Sequence, residues 1–120
     1  MMNNLISFTH AGRPQVKQRP RVGKNKVVYT PSRTVTFENE IGWTAKQHFK
    51  RPMMGELQID IRPYFKNRRS IGDIDNYGKS VLDGLNKIAY LDDKQIRRQT
   101  IEMLYDSVER TEVTLDYYRG

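Results

Sequence analysis

Between Leu57 and Arg62 the chain alternates: Leu57, Ile59 and Ile61 are apolar, and Gln58, Asp60 and Arg62 are polar. A period of two puts the two sets on opposite sides of an extended backbone, so this segment reads as a strand buried on one face. Such a strand needs a sheet around it and a layer over its apolar face. Two flanking segments have the helical period that can supply that layer. Phe37, Ile41, Ala45 and His48 fall at i, i+4, i+8 and i+11, which predicts a helix over Thr34–Phe49 with Ser32 or Thr34 as its N-cap. Ile74, Tyr77 or Gly78, Val81, Leu85 and Ile88 form a second stripe over Asp73–Lys87, with Asp73 where an N-cap belongs. Shorter runs at Leu5–Phe8, Val27–Tyr29, Ile96–Tyr105 and Glu112–Tyr117 read as further strands. The predicted order is β, β, α, β, α, β, β, hence an α+β fold: a small mixed β-sheet with two helices packed on it.

The 120 residues suffice for one domain, 1–120, with a modest core. Only 37% are hydrophobic and 29% are charged, and a core this thin favours oligomerisation. The absence of cysteine excludes a disulfide, a zinc–thiolate site and a thiol nucleophile. His10 and His48 are too few for an imidazole-rich metal site, and neither has a spacing that suggests catalysis. The first residues lack the pattern of a signal peptide, and no run approaches the roughly 20 apolar residues of a membrane span. A cytoplasmic protein is expected.

The net charge of +7 is unevenly spread. Residues 1–52 hold 10 basic and 2 acidic side chains, and residues 53–120 hold 11 basic and 12 acidic. A basic half joined to a carboxylate-rich half suits an enzyme of nucleic acid, one part neutralising phosphates and the other holding a metal. The carboxylates fall in a defined order: Asp73-Ile74-Asp75-Asn76, Lys79, Asp83, then Leu91-Asp92-Asp93. Mg²⁺ prefers oxygen ligands and is often held by a few carboxylates, and near a phosphodiester it can activate a water and stabilise developing charge. Lys79 lies one turn after Asp75, within possible reach of a phosphate oxygen. Each piece also has a structural reading: Asp73 as a cap, Asp75–Lys79 as a helix ion pair, Asp92-Asp93 as a turn.

The ordered set resembles the RusA family of Holliday-junction resolvases. The N-terminal part is similar as well, with Gly12-Arg13-Pro14-Gln15-Val16-Lys17-Gln18-Arg19-Pro20-Arg21, then Tyr29-Thr30-Pro31 and Thr34 before a helix that contains Glu. The resemblance implies a RusA-like homodimer that cuts four-way junctions, or other branched DNA, by paired symmetrical nicks with Mg²⁺ or Mn²⁺. It implies Asp73, Asp75 and Asp93 as metal-binding catalytic carboxylates and Lys79 as a catalytic lysine. Asp92 is a neighbour without an assigned role, and a phage or prophage origin is common in the family. The alternatives are a flap or fork nuclease and a catalytically silent binder of branched DNA.

An acidic cluster on DNA needs basic flanks. Arg68 and Arg69 precede the acids, and Lys94, Arg97 and Arg98 follow them. These are the expected phosphate contacts, with Lys17, Arg19 and Arg21 foremost among the further candidates Arg13, Lys17, Arg19, Arg21, Lys24 and Lys26 of the N-terminal loop; such contacts position DNA without reading its sequence. Trp43 lies off the apolar stripe of its helix and is a candidate for an interface. Tyr64, Phe65 and Tyr90 could stack on unpaired bases or pack in the core.

Overall fold

The computed structural model describes residues 5–18, 21–29, 32–69 and 71–120, with the backbone alone for Arg21 and Tyr29. In chain order the elements are β1 (Ile6–Ala11), β2 (Arg21–Val22), β3 (Val28–Tyr29), α1 (Ser32–Lys46), β4 (Leu57–Phe65), α2 (Ile74–Leu85), β5 (Ile96–Ile101), β6 (Leu104–Tyr105) and β7 (Arg110–Tyr117). The fold is α+β, as expected. A five-stranded sheet runs β1-β7-β4-β5, with β6 beside β4 on the β5 edge, and β2 and β3 form a separate ribbon. β7 is antiparallel to both β1 and β4, whereas β5 is parallel to β4.

The alternating segment Leu57–Arg62 lies inside this sheet, in β4. Leu57, Ile59, Ile61 and Phe65 are buried; Gln58, Asp60 and Tyr64 on the other face are half-buried and Arg62 is exposed. Both helices cover the apolar face. Phe37, Ile41 and Ala45 of α1 and Val81 and Leu85 of α2 join Phe8, Val113 and Leu115 in one core. The helices touch through backbone: a Cβ on Gly84 would lie 2.9 Å from the Glu38 carbonyl oxygen, and one on Gly42 would lie 2.9 Å from that of Gly84. Only glycine permits this approach.

Four elements depart from the bounds expected from the sequence. β4 runs on through Pro63 to Phe65. The predicted strand Ile96–Tyr105 is broken into β5 and β6, and Pro63 explains the break. Ile61 and Phe65 accept from the amides of Glu102 and Asp106, so the backbone of every second residue faces this edge. Pro63 is one of them and has no amide proton to give. α2 stops at Leu85 rather than Lys87 because Lys87 takes a left-handed conformation (φ 70°) and its amide bonds the Tyr90 carbonyl. α1 occupies Ser32–Lys46 instead of Thr34–Phe49, and His48 is exposed.

Among the described residues, no helix is long and apolar enough to cross a membrane. Phe65 and Tyr90 are fully buried, which leaves neither ring open to a base, while Trp43 is 70% exposed.

Candidate active site

β1 and β4 run the same way, so their C-terminal ends and the start of α2 gather at one end of the molecule. The segment after β1 crosses this end and is tied down along its length. The Gly12 amide bonds the Glu109 carbonyl, and the Lys17 amide bonds that of Asn76 (2.9 Å). The Ser80 hydroxyl donates to the Gln15 carbonyl (2.7 Å), and the Gln18 amide donates to the Thr34 hydroxyl. The Arg13 guanidinium pairs with Glu109 at 2.8 Å, donates to the Arg69 carbonyl and lies over the Phe65 ring. Glu109 also accepts from the Lys66 amide. The chain entering α2 is thereby held from one side.

It is held from the other side by Tyr77, whose hydroxyl accepts from the Gly72 amide at 2.9 Å and whose ring packs edge-on against Phe65. A Cβ on Gly72 would stand 2.7 Å from Val16, so the residue before Asp73 has to be small. Arg13, Gly72, Tyr77 and Glu109 act as positioning residues, a role that the sequence assigned to none of them. The glycine immediately before the Asp-x-Asp pattern was their one visible signal.

On this anchored start, Asp73 occupies the N-cap position in extended conformation but makes no capping bond. Asp75 lies in the first turn and Lys79 one turn on. All three are exposed, and none has a side-chain hydrogen bond or ion pair among the described residues. Neither the capping role for Asp73 nor the Asp75–Lys79 pair is realised.

The far end of α2 is different. Asp83 is half-buried and holds Lys17 Nζ at 3.1 Å, while Glu38 of α1 holds the same ammonium at 2.6 Å. Burial alone would lower the Lys17 pKa, but the hydrogen bonds that its ammonium donates to Glu38 and Asp83 outweigh it and raise it. The Tyr90 hydroxyl donates to the Leu82 carbonyl at 2.6 Å. Burial pushes this phenol well above its ordinary range, helped by the carboxylates of Asp93, Asp83 and Asp92. Asp92 caps the short helical turn Asp93–Gln95: it accepts from the Lys94 amide while Gln95 reaches back to the Asp92 amide. That backbone bond holds the Asp92 carboxyl below its usual range.

Asp93 is exposed and belongs to this far end, beside Asp92 and Tyr90. A helix rises about 1.5 Å per residue, so Asp75 and Asp83 stand about 12 Å apart along α2. The structure therefore brings Asp73, Asp75 and Lys79 together and leaves Asp93 away from them. No three His, Asp or Glu side chains among the described residues are close enough to hold one ion, and none of the undescribed residues is of these types.

Arg68 and Arg69 are exposed beside the head of α2, Arg68 over the Tyr105 ring. Lys94 is exposed in the capped turn. Arg97 pairs with Glu56, and both it and Arg98 lie over Tyr118. Arg19 and the side chain of Arg21 lie outside the described residues.

The sequence pattern of the family described as "Endodeoxyribonuclease RusA" matches residues 11–116. The chain belongs to the RusA family. The match runs from the last residue of β1 into β7 and so includes all of α2. A Bacillus subtilis (strain 168) protein named "Uncharacterized protein YqaN" is 27% identical over 136 aligned residues, which cover 93% of this chain and 96% of that one. Membership in the RusA family makes this chain an endodeoxyribonuclease of the kind that acts on branched DNA junctions.

Proposed function

We propose that this RusA-family chain is a cytoplasmic, structure-specific endonuclease that resolves four-way DNA junctions as a homodimer, by paired symmetrical nicks that require Mg²⁺, with Mn²⁺ able to replace it. The observation that carries this reading is the exposed, unpartnered trio Asp73, Asp75 and Lys79 on an anchored helix start, at the end of the molecule where Arg68 and Arg69 lie open. Carboxylates and an ammonium that take no part in holding the fold are free to meet a cation and a phosphate.

The predicted ligands Asp73, Asp75 and Asp93 lie toward opposite ends of α2, so a second copy is needed to bring them together. In a two-fold dimer with the two α2 helices side by side and antiparallel, Asp73 and Asp75 of one protomer stand beside Asp93 of the other. Two such sets follow from the symmetry, one for each nick. Lys79 would neutralise charge on a non-bridging phosphate oxygen. Arg68, Arg69, Lys94, Arg97 and Arg98, with Arg19 and Arg21, would hold the flanking phosphates. Lys17 is already engaged by Glu38 and Asp83, and its part is to hold the crossing segment in place.

The reading is tested with a substrate panel of four-way junction, fork, flap, linear duplex and single strand, with and without Mg²⁺. Paired nicks restricted to the junction and dependent on the metal are expected. Equal cutting of fork or flap would change the substrate, and metal-independent cutting would remove the proposed carboxylate chemistry.

A further inference from the structure

We propose that the outer edge of β5 is the seam between two copies of this chain, paired antiparallel on a two-fold axis through Gln99. The inference rests on the two-copy reading of the carboxylate set and specifies how that set is assembled.

β5 ends the sheet order, and among the described residues no strand bonds its outer edge. β5 contains no proline to blunt that edge. The helix layer reaches this strand but leaves it incompletely covered. Gln99 is the register partner of Ile59 and so points to the helix-covered face, yet it is exposed while Ile59 is buried. The opposite edge, β1, is finished by contrast: Phe8 and His10 lie buried under α1.

A second copy supplies the missing layer at the right spacing. α2 straddles β4 and β5, with Tyr77 against Phe65 of β4 and Gly78 against Gln99 and Ile101 of β5. Neighbouring strands lie about 4.8 Å apart, so two copies joined at β5 would hold their α2 axes about 10 Å apart, the distance of helices in contact. The flank of α2 that looks past β5 carries Asp75, Lys79, Leu82 and Asn86 at i, i+4, i+7 and i+11, three of them exposed and Leu82 half-buried. The other flank is taken by α1, through Gly84 against Ile41 and Asp83 bridged by Lys17 to Glu38.

Charge selects the register. With the axis at Gln99, the two Gln99 side chains face each other, Arg98 faces Thr100 of the second copy, and Arg97 faces Ile101. With the axis at Arg98, two guanidiniums would be opposed. The backbone agrees. The Ile61 carbonyl accepts from the Glu102 amide, so residues 100 and 102 turn their backbone groups to β4 and Gln99 turns its own outward. Each Gln99 amide can then donate to the Gln99 carbonyl of the other copy. This pairing sets the two α2 helices antiparallel, and Asp93 of one copy arrives beside Asp73 and Asp75 of the other.

The chain has no cysteine, so Gln99→Cys introduces a lone thiol on the proposed axis. Directly opposed antiparallel residues have Cα atoms about 5.5 Å apart or closer, within disulfide range. Mild oxidation should convert most of the Gln99→Cys protein into a linked dimer, whereas Thr9→Cys on the β1 edge should stay unlinked. Gln99→Glu and Gln99→Lys should each weaken self-association at least tenfold by sedimentation, and mixing the two should restore it. A wild type that cuts junctions and sediments as a dimer, with Gln99→Cys unlinked and no rescue on mixing, would overturn the seam and leave the proposed function standing. A linked Gln99→Cys dimer beside a wild type that cuts no branched DNA would do the reverse.

Discussion

The two ends of α2 carry carboxylates of opposite kinds. At the head, Asp73 and Asp75 face water with Lys79 and bond to nothing in the described fold. At the tail, Asp83 anchors Lys17, and Asp92 closes a capped turn. A motif read as one acidic cluster thus contains acids that build the fold and acids the fold leaves open. Asp93 breaks the pattern, since it is exposed like the head acids but stands at the tail. Its chemistry and its position are reconciled when the tail of one helix meets the head of another.

The largest effect expected from this contrast is on activity alone. Asp75→Asn should lower junction cleavage about 10²-fold or more. Unfolding midpoint and junction affinity should hold, or affinity should rise slightly, because a charge repelling phosphate is gone. A matching loss of stability would make Asp75 a structural acid. Lys79→Ala should lower the cleavage rate more than affinity, also without unfolding the protein; equal losses would make Lys79 a binding residue.

At the tail the order reverses, with stability lost first. Tyr90→Phe removes the donor to the Leu82 carbonyl and should cost about 1 kcal/mol in denaturant unfolding. Lys17→Met leaves Glu38 and Asp83 facing each other and should cost about 1–2 kcal/mol. The raised Lys17 pKa means that its contribution is fully present below the ordinary lysine pKa and is lost as pH rises through the folded value, in the alkaline range. Stability of the wild type should therefore fall there more steeply than that of Lys17→Met. The smallest effect belongs to Asp92. Its lowered pKa makes its contribution present above the ordinary aspartate range and lost as pH falls through the folded value. Asp92→Asn should flatten the acid limb of the stability curve and leave neutral cleavage nearly unchanged.

Periodicity made much of this legible in the sequence. Leu57–Ile61 alternates because one face of β4 is buried, and Phe37, Ile41 and Ala45 repeat because α1 covers that face. The head acids were legible from their spacing within one helix turn. Other features depend on contacts between distant residues and leave no local pattern. Gly84 meets the Glu38 carbonyl across a helix crossing. Pro63 breaks the neighbouring strand about forty residues later in the chain, because a missing amide is felt by whichever strand pairs there. Asp93 follows Asp75 in the motif, but sequence order does not say that α2 carries the chain away before Asp93 is reached. Nor does composition tell an exposed acid from one bonded to Lys17.

The most direct test of the divided site is a mixing experiment. Asp75→Asn and Asp93→Asn, each inactive alone, are refolded together and assayed on a four-way junction with Mg²⁺. If each site draws Asp73 and Asp75 from one protomer and Asp93 from the other, the mixed dimer has one doubly damaged site and one intact site, and single nicks return. If each site lies within one chain, every site in the mixture remains damaged. Cleavage no higher than that of either variant alone, with mixed dimers verified, would contradict the account.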